Sequence, residues 1–121
     1  MNAILWVIQS LIAIVFLYSG VNKSIYSRQK LVSKGQTGVE GLSKGMIRFI
    51  GISEILGAIG IILPGLIDVF PFLTVVAAIC LALVMVPASI IHYKRYEPKN
   101  VITNCIIFSM CVFVTYGRLA F

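Results

Sequence analysis

Four long apolar blocks separated by polar joints make up most of this chain, and the polar positions inside them set its organisation. Each block is close to the ~20 residues that a helix needs to cross a bilayer. The pattern predicts spans over residues 3–19, 46–63, 72–92 and 101–120, joined by basic loops at 20–45 and 93–100 and by a short turn near Pro64 and Pro71. The expected fold class is all-α: one membrane domain over residues 1–121, built as an antiparallel bundle of four transmembrane helices.

Spacing within the blocks says which faces meet. In the second, Ile47, Gly51, Glu54, Ala58 and Ile61 recur at helical intervals, which sets Glu54 on a small-residue seam and not against lipid. In the third, Thr74, Ala78, Leu81, Met85, Ala88 and His92 follow the left-handed packing period of antiparallel bundles. Gly51, Gly57, Ala58, Ala78 and Ala88 are the expected close-packing positions. In the first, Trp6, Gln9, Ser10, Ala13, Leu17 and Gly20 fall along one side, and Gln9 and Ser10 both need partners in hydrocarbon, so this side is expected to face inward. In the fourth, Asn104, Cys111, Thr115 and Arg118 share a face, with Arg118 placed to reach the headgroups at the outer end. Pro64 is expected to end the second span and Pro71 to open the third, while Pro87 interrupts the third near its far end.

Composition changes the picture in one respect: it removes a soluble alternative. Of 121 residues, 60% are hydrophobic and 12% charged, more apolar surface than a small soluble domain can bury. The net charge of +6 raises nucleic acid as a partner, but no basic patch interleaved with aromatics accompanies it, so nucleic acid is not expected. The charge alternates instead. Lys23, Arg28, Lys30, Lys34 and Lys44 lie between the first and second blocks, and Lys94, Arg95 and Lys99 between the third and fourth, whereas the intervening turn carries only Asp68. The positive-inside rule then puts both basic loops in the cytoplasm and both termini outside. Lipid headgroups become the natural partner of those loops, in a bacterial or archaeal inner or plasma membrane. The first block has no basic leader and is expected to remain as an uncleaved span. The long loop is polar and glycine-rich, with Ile25, Tyr26, Leu31 and Val32 giving part of it a side suited to the membrane surface.

Candidate chemistry is sparse. Glu54 is an acid at bilayer depth, where an ionisable group costs about 2.5–3.5 kcal/mol on insertion scales and marks a functional position by default; the plain alternative is a structural acid locking helices together. Counted along the helices, Glu54 lies ~12 Å from the cytoplasmic ends, level with Met85, Ser109 and the stretch from Ser10 to Ala13. If these faces converge, they form a pocket with one carboxyl, hydroxyl donors and an apolar wall, suited to an apolar molecule with a polar head. His92, with Arg48 and Lys23, is a candidate basic mouth at the cytoplasmic end. The ligand-binding set expected from the sequence is therefore Glu54, Arg48, Met85, His92, Ser109 and Ser10. No metal spacing occurs, and a single histidine excludes bis-histidine haem ligation. Cys80, Cys105 and Cys111 lie within spans without a CxxC and read as small hydrophobes. No self-contained catalytic constellation is present, so no catalytic residue is expected.

Taken together, Ser19-Gly20-x-x-Lys23, Arg48-x-x-Gly51-x-x-Glu54-x-x-Gly57-x-x-Gly60 closing at Pro64, Ala77-Ala78-x-x-Leu81-x-x-x-Met85-x-x-Ala88-x-x-x-His92 and Gly117-Arg118 resemble the DoxX-like family of small membrane proteins. The resemblance implies a four-helix membrane protein. The family takes its name from a small subunit of an archaeal thiosulfate:quinone oxidoreductase, other relatives are linked to quinone or oxidative-stress responses, and an animal relative assists receptor assembly. It supplies no catalytic role for Glu54, Arg48 or His92, and a shared fold does not fix an activity.

Three functions follow as expectations. The first is a small membrane subunit, at most part of a membrane oxidoreductase, or a binding protein with a pocket for a quinone-like or lipid molecule around Glu54. The second is an assembly factor or chaperone acting through helix–helix contacts, with a membrane-protein partner or a second copy of itself. The third is a small proton-coupled transporter using its membrane glutamate.

Overall fold

The computed structural model describes residues 2–70 and 72–120. Four helices long and apolar enough to cross a membrane carry the fold: α1 (Asn2–Ile25), α3 (Lys44–Ile67), α4 (Phe72–Lys94) and α5 (Pro98–Ala120). A one-and-a-half-turn helix, α2 (Arg28–Ser33), and a 3-10 turn at Thr37–Val39 lie between α1 and α3. At 1.5 Å per residue the 24 residues of α1 reach about 36 Å, more than the ~30 Å hydrocarbon core.

Local chemistry sets the boundaries. Ser43 has extended backbone and its hydroxyl accepts from the Met46 N–H, capping α3. Ser27 does the same for α2 through Lys30. Asp68 closes α3 in the left-handed region (φ 54°, ψ 41°), where a short polar side chain is tolerated. Pro98 opens α5, where a missing N–H costs nothing. Pro64 does not end α3: the helix runs on to Ile67. Losing one donor, to the Gly60 carbonyl, so near the end of the helix leaves the last turn intact. α4 likewise runs through Pro87 to Lys94. Pro71 lies outside the described residues.

The helices pack in the cyclic order α1, α3, α4, α5. α1 lies along α3 and α4 along α5, α3 joins the two pairs through α4, and α1 meets α5 over the shortest stretch. The core between them contains Ile12, Phe16, Ala58, Ile61, Ala78, Leu81, Met85, Cys111 and Val114. Outward-facing residues such as Ile14, Phe49, Leu56 and Leu83 are more than half exposed, the surface a bilayer covers.

Two glycines set the closest approach. A Cβ on Gly20 would stand 2.6 Å from the Gly51 carbonyl oxygen, and one on Gly51 2.8 Å from Lys23 Cβ, so backbone meets backbone where α1 crosses α3. Gly57 faces Leu81 across α3 and α4, Ala58 and Ala78 lie in the core, and Ala88 packs half-buried against it.

The inward face of α1 differs from the expected one. Leu5, Gln9, Ile12, Phe16 and Gly20 are buried, while Ser10 and Leu17 are exposed. Ser10 needs no partner across the bundle, because its hydroxyl donates to the Trp6 carbonyl one turn earlier. The long loop is also more ordered than its glycines suggest. Leu31 of α2, fully buried, packs with Val39 and Ile47 into a second apolar cluster under the α3 N-terminus, so this loop folds onto the bundle instead of presenting Leu31 to the membrane surface.

Candidate functional site

Glu54 is almost wholly enclosed, with its side chain 2% exposed, and one oxygen lies 2.7 Å from Lys23 Nζ. Lys23 reaches it because α1 continues five residues past Gly20, placing the lysine one turn beyond that glycine on the side facing α3. Arg48 makes no bond to Glu54. Its Nη1 donates to the carbonyls of Lys23 (2.6 Å) and Tyr26 (2.7 Å), closing the α1 C-terminus with a positive charge. The acid, its counter-charge and the arginine that holds the backbone beneath that counter-charge form one layer between α1 and α3. Its chemistry is that of an internal ion pair.

His92 belongs to a different cluster, which corrects the expected basic mouth. Its Nδ1 lies 2.8 Å from Glu97 Oε1, and the other Glu97 oxygen accepts a 2.6 Å bond from the Thr37 hydroxyl. Arg95 adds contacts to Glu97 (3.5 Å) and to Glu40 (2.8 Å). The Thr37 hydroxyl bond, then that from His92, hold the Glu97 carboxyl below the ordinary carboxylate range. This cluster clasps the 3-10 turn to the joint between α4 and α5, with His92 packed against Gly38.

At the opposite end, Arg118 turns inward instead of reaching for headgroups. Its Nε donates to Gln9 Oε1 (2.6 Å), its Nη1 to Asn2 Oδ1 (2.7 Å), and the guanidinium lies 5.4 Å from the Trp6 ring centre. Gln9 passes the link on, its Nε2 donating to the Ile61 carbonyl of α3 at 2.6 Å. One glutamine thus ties α1 to both α3 and α5.

The remaining expected site residues scatter. Met85 is buried in the core. Ser109 is exposed, its hydroxyl donating to the Cys105 carbonyl within α5. With Ser10 on the outer face, neither serine stands beside Glu54. Ser109 does line a groove of about 510 Å³ between α1 and α5, with Ile8, Val101, Ile102, Cys105, Ile106 and Phe113. It is shallow, open and apolar, lined almost wholly by α5 with Ile8 at its α1 edge. Glu54 is not among its lining residues.

Three buried nitrogens lack a hydrogen-bond partner among the described residues: Asn22 Nδ2, Asn104 Nδ2 and Arg118 Nη2. Such a donor, once buried, costs about 1–3 kcal/mol. Among the described residues no three His, Cys, Asp or Glu side chains gather as a metal site would require.

Gln9 and Asn22 are absent from the sequence-derived site, and Lys23 was expected in the basic mouth with His92 and Arg48, not as the partner of Glu54. A signal for that pairing existed: Lys23 continues the helical spacing of the buried Phe16 and Gly20 past the point where the glycine suggests an end.

No curated protein and no solved structure gives a significant match to this chain. The model of the DoxX-like family matches residues 7–114, which include all four long helices except their outermost ends. With four membrane-length apolar helices and a match over most of its length, this chain is an integral membrane protein that belongs to the DoxX-like family.

Proposed function

We propose that this DoxX-like protein is a small membrane subunit or binding protein that holds a lipid or quinone-like molecule between its helices, in the groove between α1 and α5 and not beside Glu54. The observation that carries this reading is the groove itself. It is shallow and open, about 510 Å³, a trough along which an apolar tail can lie and not an enclosed pocket. It opens sideways, so a hydrophobic molecule enters from the bilayer without crossing water. The reading includes an orientation with the basic loops in the cytoplasm, from the charge alternation, in a bacterial or archaeal membrane.

The test is native mass spectrometry of protein extracted from its own membranes. A bound apolar molecule in the wild type, lost on Ile106→Trp, is the expected result; a groove found empty in several detergents contradicts it. The Glu54–Lys23 pair supports the reading by exclusion. A carboxylate enclosed and neutralised by a lysine is poorly laid out to exchange protons and substrate, which weighs against a proton-coupled transporter.

One observation favours a second reading. The apolar window of α5 is 17% buried, against 39% for α4, leaving a broad face for another membrane helix, from a client protein or a second copy. An assembly factor predicts co-purification of a stoichiometric membrane partner that Ile106→Trp releases while bound lipid or quinone is absent.

A further inference from the structure

A second cavity, about 380 Å³, lies at the loop end of the bundle, where the end of α1 and the start of α2 meet the first turns of α3. Ile25, Tyr26 and Ile47 give it an apolar part, while Arg28, Lys44 and Arg48 line it with positive charge. No acid lines it. Main-chain carbonyls hold two of the cations: Arg28 Nη1 donates to Leu42 at 2.9 Å, and Arg48 Nη1 to Lys23 and Tyr26. Among the described residues, Nε and Nη2 of both arginines and the Lys44 ammonium have no hydrogen-bond partner. Arg48 is half-buried, yet its two free nitrogens keep accessible surface, unlike those sealed in at Asn22, Asn104 and Arg118. Lys34 and Lys30 add charge beside the cavity, their ammonium groups 4.8 and 5.9 Å from the Tyr26 ring centre.

Among the described residues no carboxylate balances this charge. Of the chain's four acids, Glu54 pairs with Lys23, Glu40 with Arg95, and Glu97 with His92 and Arg95, while Asp68 caps the far end of α3. A guanidinium fixed through one nitrogen offers the others to the oxygens of a phosphate, and an ammonium beside it adds a point charge. The N-terminal end of α3, where Lys44 stands, adds partial positive charge. Position says what carries the phosphate. Ile25 is the last residue of α1, at the level of the basic loop, and Val21, Leu17 and Ile14 follow it down the helix at helical spacing, all exposed. This apolar path is about 17 Å long, close to one leaflet of the ~30 Å hydrocarbon core. We propose that the cavity binds the phosphate of an anionic glycerophospholipid through Arg28, Lys44 and Arg48, with an acyl chain lying along the Ile25–Ile14 side of α1. This site shares no lining residue with the groove between α1 and α5 and does not depend on it.

The test is a titration by native mass spectrometry in a mild detergent, run on Ile106→Trp protein so that a molecule in the groove is not counted. The probes are dioleoyl phosphatidylglycerol, zwitterionic dioleoyl phosphatidylcholine and glycerol 1-phosphate. Phosphatidylglycerol is expected to bind about tenfold more tightly than phosphatidylcholine. Adding Arg28→Gln/Lys44→Gln should weaken that binding about tenfold, and Lys44→Gln alone, which breaks no hydrogen bond among the described residues, about threefold. Lys94→Gln/Lys99→Gln removes the same charge from the other basic loop and should change binding by less than about twofold. Equal loss from the two pairs, or no loss from Arg28→Gln/Lys44→Gln and Lys44→Gln, overturns the site, because diffuse attraction to basic loops would then suffice. Loss of all phosphatidylglycerol binding on Ile106→Trp alone overturns the site and leaves the groove reading standing. Glycerol 1-phosphate bound as tightly as phosphatidylglycerol overturns the lipid as the source of the phosphate.

Discussion

The two ends of the bundle keep a charged group in a hydrophobic setting by different means. At the loop end Glu54 meets a full opposite charge, Lys23 Nζ at 2.7 Å. At the end holding the chain termini Arg118 meets, among the described residues, the neutral amide oxygens of Gln9 and Asn2 and the face of Trp6. An arginine with delocalised charge and several donors can be held by dipoles and an aromatic ring. A carboxylate has acceptors alone, and among the described residues Glu54 has the lysine as its hydrogen-bond partner. The loop end is thus an ion pair whose members depend on each other, and the other end a network that tolerates partial loss.

The largest effect is expected from splitting the pair. Lys23→Met leaves Glu54 enclosed without its counter-charge and should cost about 3–5 kcal/mol, read as a lowered thermal midpoint in detergent. Gln9→Leu removes both an acceptor of Arg118 and the donor to Ile61, with an expected loss of about 1–3 kcal/mol. A loss from Gln9→Leu larger than that from Lys23→Met would reverse the comparison. Gly51→Ala forces a methyl to within 2.8–2.9 Å of Lys23 Cβ, the Gly20 carbonyl and Ser24 Oγ. Separating α1 from α3 there should cost about 1–3 kcal/mol, and the cost should shrink once Lys23 and Glu54 are replaced together. The smallest effect belongs to the exposed clasp. Because the folded protein holds Glu97 below its ordinary pKa, the clasp is in place above the ordinary carboxylate range and is lost as the pH falls through the lowered value. Hydrogen-exchange protection at residues 37–42, taken relative to the intrinsic exchange rate at each pH, should therefore fall on acidification in the wild type, and be low with little pH response in Glu97→Gln.

The helix count and the buried seam of α3 were legible because Ile47, Gly51, Glu54, Ala58 and Ile61 combine small size, strict spacing and one charge, and all five are buried. α1 was harder because Gln9 and Ser10 are adjacent and only one can face inward. The serine satisfies itself on its own helix, as Ser109 does, so a hydroxyl in a span says little about direction. The pairing of Lys23 with Glu54 was hidden by reading Gly20 as the end of a helix, when that glycine serves close contact with Gly51. Arg118 was assigned to the headgroups because a long cation near a helix end usually snorkels; its inward turn depends on Gln9, over a hundred residues away in sequence. The groove was illegible for a similar reason. It arises where α1 and α5 fail to pack, which no spacing within one helix reports.

One measurement separates an internal staple at Glu54 from a ligand site there: the bound molecule in Lys23→Met/Glu54→Leu protein, which removes both charges together. The account predicts a folded protein that retains the ligand of the wild type at the same occupancy. A folded double variant that has lost it would place the ligand at the acid and contradict the account.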